Sequence, residues 1–187
     1  MRKFWTGRAT RWLALGLVLT GCAGRGAPNS LRSSLPLRIS EVEDGGNPRR
    51  GASLWALSRG LEYAAAGQSA RALVEYERAI QVDATNSYAY VALSRHYLEL
   101  GDAERALRNL DQAELLFGFD ARDERRPQKG TAESREFERI RPHLDGLRGG
   151  ALLAQGREEE GRWLLERARA SAPTVWRDGH LSAGEFQ

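Results

Sequence analysis

Apolar positions follow three regimes along the chain. From Trp12 to Gly24 no charged residue interrupts WLALGLVLTGCAG, a run of 13 residues. Residues 23–50, AGRGAPNSLRSSLPLRISEVEDGGNPRR, are rich in Gly, Pro, Ser and Arg, and so sparse in apolar surface that little offsets the entropy of ordering them. Leu35, Leu37 and Ile39 alternate as a docking strand would, but Pro36 removes a donor from that strand. Further on, apolar residues return at helical intervals, as in Leu54, Leu57 and Leu61, and again in Phe137, Ile140, Leu144 and Leu147. The pattern predicts a short apolar leader, a tether and a helical domain over 51–187.

The helical part repeats itself. GQSARALVEYERAIQVDATN begins at Gly67, and GDAERALRNLDQAELLFGFD begins at Gly101. Gly, Arg-Ala-Leu, a large residue and Ala recur at an offset of 34, and Tyr63 matches Tyr97 at the same offset. Glycine enters the left-handed position after a helix without steric cost, so Gly67 and Gly101 read as helix ends, with Ser69 and Asp102 suited to cap the next helices.

This helix–turn–helix period resembles the tetratricopeptide repeat. The resemblance implies an all-α fold, a tetratricopeptide-like α-α superhelix of about three repeats near 53–86, 87–120 and 142–175. It implies close helix crossings at Gly60 with Ala72, Ser94 with Ala106 and Gly149 with Gly161, and a seam of Tyr63, Tyr76, Leu93, Tyr97 and Leu110 closed by Ala79 and Ala113. Ala103, in the first turn of its helix, is expected to be exposed. The family's tryptophan is replaced by Ala56 and Tyr90, and its closing proline by Ala84 and Gly118, whereas the third unit keeps Pro173. Gly101 and Gly156 stand 55 apart, so about 21 residues are inserted, over about 121–141. A loop near 119–131 and a turn or two of helix before Pro142 are expected there. Trp176, Leu181 and Phe186, in a tail over 176–187, are expected to cap the last helix, because terminal repeats expose a face.

The leading run has its own grammar. Arg2, Lys3, Arg8 and Arg11 precede it with no acidic residue among them, as in a secretory signal peptide. A membrane-spanning helix needs about 20 apolar residues, and this run is shorter. It holds Leu19-Thr20-Gly21-Cys22, with the chain's single cysteine. The tetrad resembles the bacterial lipobox. That resemblance implies a signal peptide over 1–21, cleavage between Gly21 and Cys22, diacylglyceryl transfer to the Cys22 thiol, fatty acylation of the new amine, and a lipidated linker over 22–50. Ala23, where Asp would retain such a lipoprotein in the inner membrane, implies the periplasmic face of the outer membrane.

Charge changes the picture once the leader is set aside. The chain carries 28 Lys+Arg against 25 Asp+Glu, and four of the basic residues precede Cys22, so residues 22–187 carry 24 against 25. That balance gives no basic footprint for nucleic acid. One cysteine makes no intramolecular disulfide. The tail's D-G-x-L-S-x-x-E matches half of a calcium loop, but Thr174 and Trp176 occupy the first and third ligand positions. His96, His143 and His180 have no ligand spacing among them. No nucleophile–base arrangement or phosphate-binding loop is legible, so neither an enzyme nor a metal or cofactor site is expected.

Arrays of this family bind protein segments along the face of their first helices. In this register that face is Leu54, Leu57, Leu61 and Ala64, then Tyr88, Val91, Arg95 and Leu98, then Leu153. The Lys and Asn clamp of the family's chaperone-binding members is absent. The resulting expectation is a membrane-anchored, non-catalytic adaptor or assembly factor of the bacterial cell envelope with a protein or peptide partner. The alternatives are a structural tether whose groove is filled by its own chain, or an accessory subunit of a cell-wall enzyme.

Overall fold

The computed structural model describes residues 39, 42, 44–118 and 132–186. Gly21, Cys22, the leader, most of the linker and residues 119–131, where a loop is expected, lie outside the described residues. Six long helices form three hairpins: α1 (Pro48–Ala65) with α2 (Ser69–Val82), α3 (Ser87–Glu99) with α4 (Ala103–Leu116), and α5 (Ala132–Ala154) with α6 (Glu158–Ser171). A four-residue α7 (Ala183–Phe186) closes the tail. The fold is all-α, and successive hairpins stack as in helical-repeat proteins, α2 on α3 and α4 on α5. The first helices of the hairpins also touch, α1 with α3 and α3 with α5.

One hydrogen-bonded turn serves all three hairpins. Gly67, Gly101 and Gly156 take φ of 71°, 78° and 78°. The next residue's amide reaches back across the helix end, from Gln68 to Tyr63, Asp102 to Tyr97 and Arg157 to Leu152, at 2.8–2.9 Å. The glycine amide itself bonds to the carbonyl of Ala64, Leu98 or Leu153. This double bond pattern satisfies last-turn carbonyls that would otherwise lack partners. The second helices start differently. Asp102 caps α4 through the Arg105 amide, but Gln68, not Ser69, is the cap of α2 and gives no side-chain bond. At α6 no side chain caps either, and Glu158, Glu159 and Glu160 occupy the first turn, where negative charge complements the helix dipole.

Each hairpin is drawn tight by small residues. A Cβ at Gly60 would lie 2.5 Å from the Tyr76 ring. A Cβ at Gly149 would lie 2.9 Å from the Gly161 carbonyl, and one at Gly161 would lie 2.8 Å from the Gly149 carbonyl. In the middle hairpin Ser94 and Ala106 have no exposed surface, and neither does Ala72 in the first. Ala103 departs from expectation. It is buried in a small cluster with Ala106 and Ala151, because α5 packs on α4 at its start.

Two boundaries also differ. The helical domain begins before residue 51, since Asn47 accepts from the Arg49 and Arg50 amides and Pro48 supplies a first-turn residue that needs no hydrogen bond. The helix expected to extend a turn or two ahead of Pro142 runs continuously from Ala132, about three turns, and leaves Pro142 in its interior. Proline removes one backbone bond there. Ile140 and Leu144 on either side are buried in the main core, which holds the helix across the gap. Arg148 ties the last two hairpins, donating to Asp111 Oδ1 at 2.7 Å and to both Glu114 oxygens at 2.8 and 3.1 Å. Arg167 of α6 grips both oxygens of Asp145 in α5.

Candidate functional site

The face formed by α1, α3 and α5 is the candidate site, and it is closed. Leu57, Leu61 and Val91 have no exposed surface, and Leu54, Tyr88 and Arg95 are buried. Only Leu98, Ala64 and Leu153 keep part of their surface in solvent. As an open groove the expected residues are therefore corrected: they are core. The reason is that the chain supplies its own cover. After α6 the tail turns back over the first helices and buries Val175, Trp176, Leu181 and Phe186 in the same apolar cluster. Its α7 reaches α1, at the far end of the stack. Ile39 joins this cluster too, with Val42 packed against it. The tail does not cap the last helix alone; it straps all three hairpins.

Trp176 is the strap's anchor, and α5 is built to receive it. A Cβ on Gly146 would fall 2.3 Å from the indole, so this helix position accepts only hydrogen. Arg169 Nε holds the Trp176 carbonyl at 3.2 Å. The His143 ring lies 6.5 Å from the indole, centroid to centroid. Burial, aided by the Arg139 charge, pushes the His143 imidazole down to about 4, so it is neutral at ordinary pH.

Arg95 sits at the centre of the covered face. Its guanidinium donates to Glu99 one turn on and, at 3.4 Å, to the Tyr76 hydroxyl. Burial pushes the Tyr76 phenol up, and Arg95 partly offsets this. Burial and the Arg95 charge push the His96 imidazole down. His180 of the tail stands over the ion pair, with Nε2 3.9 Å from Glu99 Oε1. Between α3, α5 and the tail remains a cavity of about 60 Å³, lined by Arg95, Glu99, Leu147, Trp176, His180 and Leu181 among others. That is room for a few waters, not for a peptide.

Tyr88 is held at the other end of α3. Its hydroxyl donates to Glu136 of α5, and its ring meets Phe117 edge-on at 5.1 Å. Burial and then Glu136 push the phenol well above its ordinary range. The helical turns that precede Pro142 thus cover Tyr88, as the tail covers Arg95. Ser53 bridges the first two hairpins, donating to the Ala79 carbonyl at 2.7 Å and accepting from Asn86 at 2.8 Å.

Among the described residues no group of His, Cys, Asp and Glu has a metal-binding arrangement. None of the described helices is long and apolar enough to cross a membrane. No protein-family model, curated protein or solved structure matches the chain.

Proposed function

We propose that the protein is an exported bacterial lipoprotein, anchored through Cys22 on the periplasmic face of the outer membrane, whose tetratricopeptide-like helical domain is a non-catalytic adaptor or assembly factor. One observation carries this reading: a lipobox-like LTGC, behind a basic and apolar leader, stands at the head of a polar linker that leads into stacked helical hairpins. Stacked hairpins with a 34-residue period present surface, and the described side chains converge on packing and ion pairs. A second reading is favoured by the burial of Leu57, Leu61 and Val91. In it the domain is a structural tether, its inner face filled by its own tail.

Mass spectrometry of the protein from its native envelope tests the anchor, with cleavage after Gly21 and a lipid on Cys22 expected. Cys22→Ser should accumulate as the uncleaved precursor. An unmodified Cys22 or a start elsewhere overturns the anchor. Crosslinking and affinity capture from the same envelope test the role. A stoichiometric protein partner supports the adaptor, and recovery of the chain alone supports the tether.

A further inference from the structure

The first hairpin carries on its outer surface a ladder of alternating cations and rings. Trp55, Arg59 and Tyr63 lie four residues apart along α1, one above the other, and Arg71 and Arg78 face them from α2. The Arg59 guanidinium lies 4.8 Å from the Trp55 ring centre and 5.6 Å from that of Tyr63. Arg78 lies 6.0 Å from Trp55, and Arg71 lies 5.6 Å from Tyr63. Glu75 sits buried beneath, 3.6 Å from Arg59 and 3.8 Å from Arg78. Despite this stacking, Trp55 is 55% exposed and Val74 on the same hairpin 61%. The protein therefore displays an indole and a valine among guanidinium groups instead of covering them.

Charge is distributed to match. Between Pro48 and Val82 five arginines stand against three glutamates, whereas between Ser87 and Leu116 three arginines stand against five acidic residues. The basic hairpin is the one next to the tether. Ile39 is already packed in the core, and 16 residues separate it from Cys22, which as a coil would reach roughly 20–24 Å. Such a tether holds this hairpin at high effective concentration against whatever surface carries Cys22.

We infer that the Trp55–Arg59–Tyr63–Arg71–Arg78 face docks on the headgroup layer of an anionic bilayer. Indole rings settle at the membrane–water boundary, and arginines near an anionic surface each strengthen binding about fivefold. Docking would orient the domain with its second and third hairpins away from the lipid. The inference rests on the lipid-anchor reading of Cys22, and the test is separable from it because it uses the chain from residue 22 with Cys22→Ser, which carries no lipid.

The test is sedimentation with vesicles of phosphatidylglycerol and phosphatidylcholine at 3:7, against phosphatidylcholine alone. Binding is expected to the anionic vesicles only and to be lost at about 0.5 M salt, where charges are screened. Arg71→Gln with Arg78→Gln should weaken it about twenty-fold or more. Arg108→Gln with Arg162→Gln, an equal charge change elsewhere on the surface, should weaken it less than threefold. In a Trp163→Phe background, where the remaining Trp176 is buried, the part of the emission that comes from exposed Trp55 should be quenched by brominated lipid. Equal weakening by the two pairs of substitutions, or equal binding to neutral vesicles, overturns the inference. So does a chain that ignores vesicles but binds a poly-glutamate peptide, since the face would then read an acidic protein. A helical circular-dichroism spectrum for each variant excludes misfolding as the cause.

Discussion

Gly146 and Trp176 form a matched pair, the glycine of α5 leaving the volume that the indole of the tail fills. A methyl group at 146 would sit 2.3–2.4 Å from three ring carbons, so the ring or the helix must move. Gly146→Ala is expected to destabilise the fold by roughly 1–3 kcal/mol, although alanine favours a helix by about 1 kcal/mol over glycine. Trp176 emission should shift to the red as the tail lifts. Gly150→Ala is the comparison. There the nearest atom is a Leu98 methyl at 3.1 Å, which has only to give slightly, and the melting temperature should barely change. Equal melting of both variants would mean that Trp176 is not seated on α5.

The hairpin seams give a second test. Ala72 and Ala106 have no exposed surface where their helices cross. Leu at either should overpack the seam at roughly 1–3 kcal/mol. Ala170, exposed on α6, should accept Leu with little loss. Urea midpoints that fail to separate the two classes would refute the crossing geometry.

What the sequence made legible was whatever repeats. Gly67, Gly101 and Gly156 announced three hairpin turns, and Gly60, Ala72, Ala106, Gly149 and Gly161 announced the crossings, because close approach leaves a small residue at a fixed offset. The inner-face residues were placed on the correct helices, but their openness was not readable. Leu54, Val91 and Arg95 carry the same pattern whether a partner or the chain's own tail covers them. The seat of Trp176 escaped the periodic reading for a related reason: it pairs residues 30 apart outside the repeat register. A signal was present. Gly146, Gly149 and Gly150 lie within a helix, where glycine costs backbone entropy, and two of them mark a backbone or ring pressed close. The cap at Asn47–Pro48 likewise carries a sequence signal, an Asn followed by Pro, that lies outside the repeat register.

Acid should loosen the strap through His143. Its imidazole is neutral in the fold and titrates near 4, against about 6.5 when exposed. Below about pH 6.5 the unfolded chain binds a proton that the folded chain refuses, so stability falls as pH drops from about 6.5 to 4 and then levels off. The full contribution is about 3 kcal/mol. His143→Phe, which keeps a ring beside Trp176, should flatten that part of the profile. Urea midpoints at pH 7, 5.5 and 4.5 measure it, and an unchanged slope in the variant would remove His143 from the account.

The covered face supplies the last test. Were Tyr88 and Arg95 anchors for a partner on an open groove, their loss would weaken binding and leave folding alone. Their burial predicts the opposite order. Tyr88→Ala removes the bond to Glu136 and the contact with Phe117, and should cost roughly 3 kcal/mol of stability. Arg95→Ala breaks an ion pair buried on one side only, since Glu99 keeps 35% of its side chain in solvent. It should cost less, about 1–2 kcal/mol. Phe186→Ala in α7 frees the strap's far end from α1, and should cost roughly 3 kcal/mol while making residues 174–187 sensitive to protease. If a partner competes with the tail, Phe186→Ala will bind it more tightly than the unaltered chain, because the face no longer has to be uncovered first. If the tail is a permanent part of the core, all three variants melt early and none gains a partner. Melting temperatures unchanged in Tyr88→Ala and Arg95→Ala would show that the inner face is not covered by its own chain.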